Sequence, residues 1–478
     1  MNYKTLGIFA IGTLLAASAI AQTNDSVLAS HPNFTASCYS LYPEPANIKY
    51  TKAPAGYKAF YLSHYGRHGS RYHHSADEYK YLFETLSKAD SLGKLTEAGK
   101  QALAYTHVLA TEAAPRSGDL TQVGVKQHQG IAKRMAKNFP EIFNDRTVAV
   151  KNDKGVKNAK VTPHVKAYAS TSGRCIVSMA AFVSEFRAQK PKTEVETFSG
   201  KSYMKFICPF DWDKLEYSKA KKYTNESDKL WQKVDPQPFL KKLFNDSAYI
   251  AKNIDASTFY NRIFEITSLL PGMDKPLLQS IENEAKVPAE TFINLFTTEE
   301  KITRWKAQNS WWYSVLGTSP LIGKTDGTDF GKNILQNILD EADTVINADT
   351  LNAAFNAGET PVAATLRFGH DTGILPLAGL MQLPLASAKI SDLSTLHEQW
   401  DDFRVIPMAA NMQIVFYKAG KTNAKNASKP ILVKLLYNEI EQTLPIECGL
   451  PENEKKNCPA APYYRWDDFR TFYSNLLK

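Results

Sequence analysis

Three stretches of this chain read as a strand, a short polar turn and then an amphipathic helix, and that repetition constrains the fold more than any other feature. The first strand covers about Lys58 to His64, with a turn from Gly66 to His74 and a helix opening at Ser75. Glu78, three residues on, completes a capping-box pattern, and Tyr79, Leu82, Phe83 and Leu86 fall at helical spacing. The second unit has a strand near His164 to Ala169, the turn Ser170-Thr171-Ser172-Gly173, and a helix carrying Ile176, Met179, Ala180 and Val183. The third runs from Val362 to Phe368, through Gly369-His370-Asp371, into a helix with Ile374, Leu377 and Leu380. Pro376 is expected in the first turn of that helix, where a proline is tolerated.

Repeated strand–helix units imply an α/β fold, a mostly parallel sheet with helices on both faces. Ligands of such sheets bind beyond the carboxyl ends of the strands, where all three polar turns fall. Between about 190 and 335 the chain becomes rich in lysine and aromatic residues, with helical patterns at Phe239 to Leu243 and Thr258 to Leu270 and with Trp305, Trp311 and Trp312. This stretch reads as an inserted, mostly helical cap. Two strand-like runs, Ile406 to Tyr417 and Pro430 to Tyr437, then complete the sheet. The expected organisation is a signal peptide at 1–21, an α/β domain in two parts at 22–190 and 336–478, and the cap at 191–335.

The signal-peptide reading rests on Lys4, the apolar run Leu6 to Ala16, and the small-x-small site Ala19-Ile20-Ala21. Cleavage there implies a secreted or periplasmic protein. No other stretch is long and apolar enough to span a bilayer. Removing residues 1–21 takes away one lysine and no acid, which leaves a formal charge of +7. That balance suits a polyanionic substrate and equally an ordinary solvated surface. Of five cysteines, Cys448 and Cys458 bracket a polar loop and are the expected disulfide; Cys175 reads as a buried thiol, and Cys38 and Cys208 could pair. No cluster has zinc-ligand spacing, so neither a metal nor another cofactor is expected.

The run Tyr65-Gly66-Arg67-His68-Gly69-Ser70-Arg71-Tyr72 carries the strongest chemical signal. Arginine presents paired planar donors suited to phosphate oxygens, and a following helix N-terminus adds to the same field. Surrounding positive charge favours the neutral, nucleophilic form of His68, which can attack phosphorus and form a phosphohistidine. The plainer reading is a surface loop with charges and one satisfied histidine. The second signal, Arg367-Phe368-Gly369-His370-Asp371, offers a carboxyl group that can protonate a leaving alcohol and a histidine that can donate to phosphate. Alone it reads as well as a helix cap. Arg174, at the start of its helix, is a third element or a solvated helix-terminal charge.

These residues resemble the histidine acid phosphatase superfamily, in the branch with phytases and multiple inositol polyphosphate phosphatases. Arg67 to Arg71 match the first five positions of its Arg-His-Gly-x-Arg-x-Pro signature, and His370-Asp371 match its later His-Asp. The stretch from Gly118 to Gln127, the run Pro407 to Asn411, and Leu436-Tyr437-Asn438-Glu439 are further echoes. The resemblance implies a phosphoglycerate-mutase-like fold with His68 as nucleophile and Asp371 as proton donor. It also implies Arg67, Arg71, Arg174 and His370 as phosphate ligands. Two positions depart from the pattern. His73 stands where the signature has proline, and Asp371 directly follows His370 where the inositol polyphosphate group has alanine and then glutamate.

The expected partner is therefore a small phosphate monoester rather than nucleic acid, hydrolysed through a phosphohistidine. The basic insertion suggests a substrate with several phosphates, such as inositol hexakisphosphate, whose outer phosphates Lys201, Lys205, Lys219, Lys221 and Lys222 could contact, although solvated surface lysines are the commoner case. The alternatives are a broad acid or sugar-phosphate phosphatase and, from another class, a protein that binds phosphorylated ligands without turnover. The last would need the arginines but neither His68 nor Asp371.

Overall fold

Strand β1 (Tyr57–Arg67) occupies the middle of an eight-stranded sheet, and nine of its residues in succession are buried. Such an unbroken run marks a strand covered on both faces. The computed structural model describes residues 27–28, 30–45, 48–210, 226–319, 327–350, 354–356, 358–419 and 429–478. The expected signal peptide and Lys219, Lys221 and Lys222 lie outside them. The remaining strands are β2 (Arg146–Asn152), β3 (Gly155–Val161), β4 (His164–Ala169), β5 (Val195–Ser199), β6 (Phe355–Asn356), β7 (Val362–Gly369), β8 (Asn411–Ala419), β9 (Leu432–Tyr437), β10 (Ile440–Glu441) and β11 (Tyr464–Arg465).

The main sheet has the order β10-β9-β8-β1-β7-β4-β5, with β11 against β9. The expected α/β sheet is present, but its parallel character is confined to one half. β1, β7, β4 and β5 run parallel, whereas β8 pairs antiparallel with β1, and β9 with β8. β8 follows α-helical and loop segments that deliver it from the opposite end, so no crossover helix is needed before β9. A small sheet of order β3-β2-β6 stands apart.

The longer helices are α1 (Ala76–Ser91), α2 (Glu97–Val108), α3 (Gln122–Asn138), α4 (Gly173–Gln189), α5 (Ala256–Ser268), α6 (Lys275–Ala285), α7 (Thr298–Leu316), α8 (Asp329–Thr350), α9 (Asp371–Leu380) and α10 (Trp466–Leu476). Met135 of α3 and Phe182 and Phe186 of α4 pack with Leu366 and Val415 on one face of the sheet. Ile338 of α8, Leu377 of α9 and Phe469 of α10 pack with Phe416 on the other. A third core joins Leu82 and Tyr105 of α1 and α2 to Ile263 and Ile281 of α5 and α6. The first helix after β1 thus enters a helical layer with the inserted segment instead of returning onto the sheet. β5 carries the sheet to Ser199, past the expected start of the cap at 191.

Several local expectations change for identifiable reasons. α1 has Ser75 as N-cap but no capping box, because Glu78 pairs with Arg262 of α5 at 2.9 Å. The buried face of α4 centres on Cys175, Met179, Phe182 and Phe186, leaving Ile176 and Ala180 exposed. Pro376 lies inside α9, beyond its first turn, where burial from Gly373 to Leu380 holds the helix despite the missing backbone donor. Cys448 and Cys458 form the expected disulfide, while Cys38 and Cys208 are free thiols. Among the described residues no helix is long and apolar enough to cross a membrane.

Candidate active site

The parallel register of three strands brings the three polar turns together. Arg67 of β1 faces Gly369 of β7, and Ala169 of β4 faces Phe368. The chain continues that pattern beyond the strands: His68 N donates to Gly369 O at 3.0 Å, and Ser170 N donates to Phe368 O at 3.0 Å. His68 and His370 consequently lie with ring centroids 5.6 Å apart, and Ser170 Oγ lies 2.9 Å from His370 Nε2.

The loop after β1 is held from both sides. Gly69 N donates to Ser178 Oγ of α4 at 3.2 Å, and Ser70 N donates to Gln127 Oε1 of α3 at 2.9 Å. Thr121 N donates to Ser70 O at 2.9 Å. Close backbone approach makes two glycines necessary here. A Cβ on Gly69 would lie 2.6 Å from Gly124 O, and one on Gly124 would lie 2.3 Å from Ser70 O. The stretch from Gly118 to Gln127 is thereby explained as the cradle of the histidine loop.

Arg67 is fully buried. Its Nη1 donates to Cys38 O at 2.5 Å and to Ile406 O at 2.6 Å, and its Nη2 lies 2.6 Å from Asp371 Oδ2. Two carbonyls and a carboxylate fix the guanidinium plane, so Arg67 is a preset fork rather than a mobile charge. Asp371 is the first residue of α9, and its Oδ1 accepts from Thr372 N at 2.8 Å. Burial raises its pKa, but Arg67, His370 and Arg71 together outweigh that and hold it below the ordinary carboxylate value. A negative charge at a helix N-terminus adds to the effect.

His68 is buried, and its Nδ1 is 2.9 Å from Gly69 O. A carbonyl can only accept, so Nδ1 carries the proton and Nε2 is left with its lone pair. Burial first, then Arg174, Arg67, His370 and Arg71, push its pKa well below the ordinary histidine value. His370 has both ring nitrogens engaged: Arg174 Nη2 donates to Nδ1 at 3.2 Å, so Nε2 bears the proton and donates to Ser170 Oγ. Burial and Arg174 push its pKa down to about 4. Contact of His370 with a phosphate therefore requires that one of these bonds be given up. Arg71 is buried, donates to Tyr72 O at 2.9 Å, and lies 5.4 Å from the Tyr39 ring.

A cavity of about 550 Å³ opens against this cluster at Arg71 and Asp371. Its other walls include Tyr39, His74, Trp231, Glu265, Arg304, Trp311 and Trp312. Lys201 and Lys205 are exposed and do not line it. His73 is buried and does not reach it either. Its Nε2 lies 3.3 Å from Glu265, and its Nδ1 accepts from Ser75 N, so it anchors the start of α1 in place of the proline of the signature. The carbonyls of Cys38 and Ile406, the hydroxyl of Ser170, and the cavity side chains Tyr39, Glu265 and Arg304 escape a motif reading. Their roles come from the segments they meet, and only the tryptophans left a compositional signal.

A model of the histidine phosphatase superfamily (branch 2) matches residues 66–438. The chain belongs to this family. The match takes in both motifs and everything between them. The phosphatase has the fold seen in the crystal structure of Bifidobacterium longum multiple inositol polyphosphate phosphatase in complex with inositol hexasulfate. The TM-score is 0.67 at 17% identity, over 92% of this chain and 97% of that one. The phytase from D. castellii is similar with a TM-score of 0.57 at 14% identity, over 93% of this chain and 85% of that one. No curated protein matches the phosphatase.

Proposed function

We propose that this phosphatase hydrolyses phosphate monoesters through a phosphohistidine on His68, and that its substrates are inositol polyphosphates such as phytate. The observation that carries the reading is the bare Nε2 of His68, held by the Nδ1 bond to Gly69 O among Arg67, Arg71 and Arg174. His68 Nε2 attacks phosphorus in line, and the bond from phosphorus to the ester oxygen breaks. Asp371 gives its proton to that leaving oxygen. Water then attacks the phosphohistidine, Asp371 takes a proton from it, and the N–P bond breaks to restore His68.

The three arginines neutralise the phosphoryl oxygens, a role of preorganised charge aimed at the transferring group. The Arg67–Asp371 pair supplies the timing. In the free enzyme Arg67 keeps Asp371 ionised. A bound phosphate shares Arg67 and adds its own negative charge, so the Asp371 pKa rises and the carboxyl becomes an acid where one is required. Such chemistry runs best at acidic pH.

We also read the protein as exported. The N-terminal apolar segment and the Cys448–Cys458 disulfide support an oxidising compartment. N-terminal sequencing of the mature protein should then begin at Gln22. The activity itself is tested by phosphate release from inositol hexakisphosphate between acidic and neutral pH, with EDTA present and His68→Ala as control. Release by the wild type alone supports the reading. Turnover of p-nitrophenyl phosphate without turnover of the hexakisphosphate would keep the mechanism and remove the substrate. Tight binding with no turnover of either would favour a phospho-ligand-binding protein.

A further inference from the structure

Asp402 is fully buried and does not line the cavity, yet both carbonyls that fix Arg67 belong to segments bonded to it. Its Oδ2 accepts the hydroxyl of Ser37, the residue before Cys38. Its backbone oxygen accepts from Ile406 N at 2.7 Å. Asp402 is itself anchored to α7 of the inserted segment. Trp305 Nε1 donates to its Oδ1 at 3.0 Å, and its own N donates to Asn309 Oδ1 at 2.8 Å. Ser37 has φ 59° and ψ −133°, a backbone conformation that a residue with a Cβ adopts only when its surroundings impose it. The bond from its hydroxyl to Asp402 supplies that constraint. The same two segments meet again where Met408 N donates to Ser40 O at 2.9 Å.

Arg67 Nη1 is shared by Cys38 O and Ile406 O, so a shift of either carbonyl turns the guanidinium plane and moves Nη2 relative to Asp371. A planar fork binds phosphate well only when it is already aimed, because reorienting it on binding costs affinity. We propose that Asp402 is a positioning residue for Arg67, which sets the guanidinium plane through Ser37 and Ile406 and so couples α7 to the anion site. The inference rests on the phosphatase reading, in which Arg67 holds the reacting phosphate and keeps Asp371 ionised until substrate arrives. Asp402 acts through the backbone of its neighbours and takes no part in proton transfer. Its side chain needs only to accept from Trp305 and to bond Ser37, which an asparagine amide also does.

The test measures the Kd of inorganic phosphate by calorimetry and the pH profile of kcat/KM for p-nitrophenyl phosphate, with thermal melts on the same preparations. In Ser37→Ala the Kd should rise about 5- to 30-fold, the range for one hydrogen bond to a charged group. The alkaline limb of the profile, where Asp371 loses the proton it must donate, should move to higher pH, because a displaced Arg67 no longer holds that carboxyl down. Ser37→Gly suits the positive φ and serves where the alanine variant does not fold; it should show the same two changes. Asp402→Asn is the conservative rescue and should keep the Kd within about threefold of wild type. A merely structural role would lower the melting temperature and the active fraction while leaving the Kd and the profile in place, and that result would overturn the assignment. So would an Asp402→Asn variant as impaired as Ser37→Ala. A wild type that binds phosphate without turnover would instead overturn the phosphatase reading, and the Kd comparison would still decide the role of Asp402.

Discussion

The Arg67 guanidinium lies 2.6 Å from the Asp371 carboxylate, which ties the loop after β1 to the first residue of α9. The same guanidinium is bonded to the carbonyls of Cys38 and Ile406. Four segments far apart in the chain therefore meet on one side chain. In the proposed mechanism the residue that binds the phosphate also tunes the acid, so charge arriving with the substrate would reach Asp371 directly.

Asp371→Asn separates the acid role from simple binding. It should lower kcat on alkyl phosphates by about 10²- to 10⁴-fold, the usual contribution of a general acid. The loss on p-nitrophenyl phosphate, whose leaving group needs little protonation, should be much smaller. Steady-state kinetics on both substrates checks this, and equal losses would remove the proton-donor assignment.

Gly124→Ala tests the cradle of the histidine loop. Its Cβ would fall 2.3 Å from Ser70 O, so the loop or α3 must shift. A cost of about 1–3 kcal/mol in stability is expected from overpacking, with about a 10²-fold loss of kcat from displaced chemistry. Thermal melts and kinetics on one preparation measure both. A stable variant with full activity would show that the loop tolerates the movement.

Asp402→Asn should change how stability depends on pH. Asp402 accepts from Trp305 Nε1 at 3.0 Å and from the Ser37 hydroxyl, and burial pushes its carboxyl up to about 7. Its folded pKa is above the unfolded one, so its contribution is full below about pH 4 and is lost as pH rises through 7. The asparagine amide keeps hydrogen bonds without that loss. The stability of the variant relative to wild type should therefore grow by about 2–4 kcal/mol from pH 4 to pH 8. Melts across that range test it, and a difference independent of pH would refute it.

His128 acts in the opposite sense. Burial pushes its pKa down to about 3, and a backbone hydrogen bond at Arg67 opposes that only in part. The unfolded chain takes up a proton near pH 6.5 and the folded one does not, so this stabilisation is present above pH 6.5 and falls away toward pH 3. His128→Phe should lose less stability than wild type over that interval. Denaturant titrations at pH 7 and pH 4 would show the convergence or its absence.

Cys448→Ser should lower stability by about 2–3 kcal/mol, as expected for a bridge across a sequence separation of 10. Activity at moderate temperature should be retained, since the bridge lies outside the residues around His68. Dithiothreitol should destabilise the wild type and leave the variant unchanged.

The sequence by itself determined the chemistry that sits in contiguous residues. Arg67, His68 and Arg71 share one turn, His370 and Asp371 another, and the strands before them are buried runs whose ends are marked by glycine and polar residues. Local spacing also located α4 and α9, although it misjudged the buried face of one and the proline of the other. Only the tertiary structure decided the rest. The parallel register of β1, β7 and β4 fixes which turns meet, and the antiparallel β8 brings Ala409 against His68. The hydrogen bonds that choose the protonated nitrogen of His68 and of His370 depend on Gly69, Arg174 and Ser170 in their folded positions. Arg304 and Glu265 belong to helices of the inserted segment, and no local pattern distinguishes them from solvated charges. The physical reason is that motifs record covalent neighbours, whereas burial and hydrogen-bond partners are set by long-range packing.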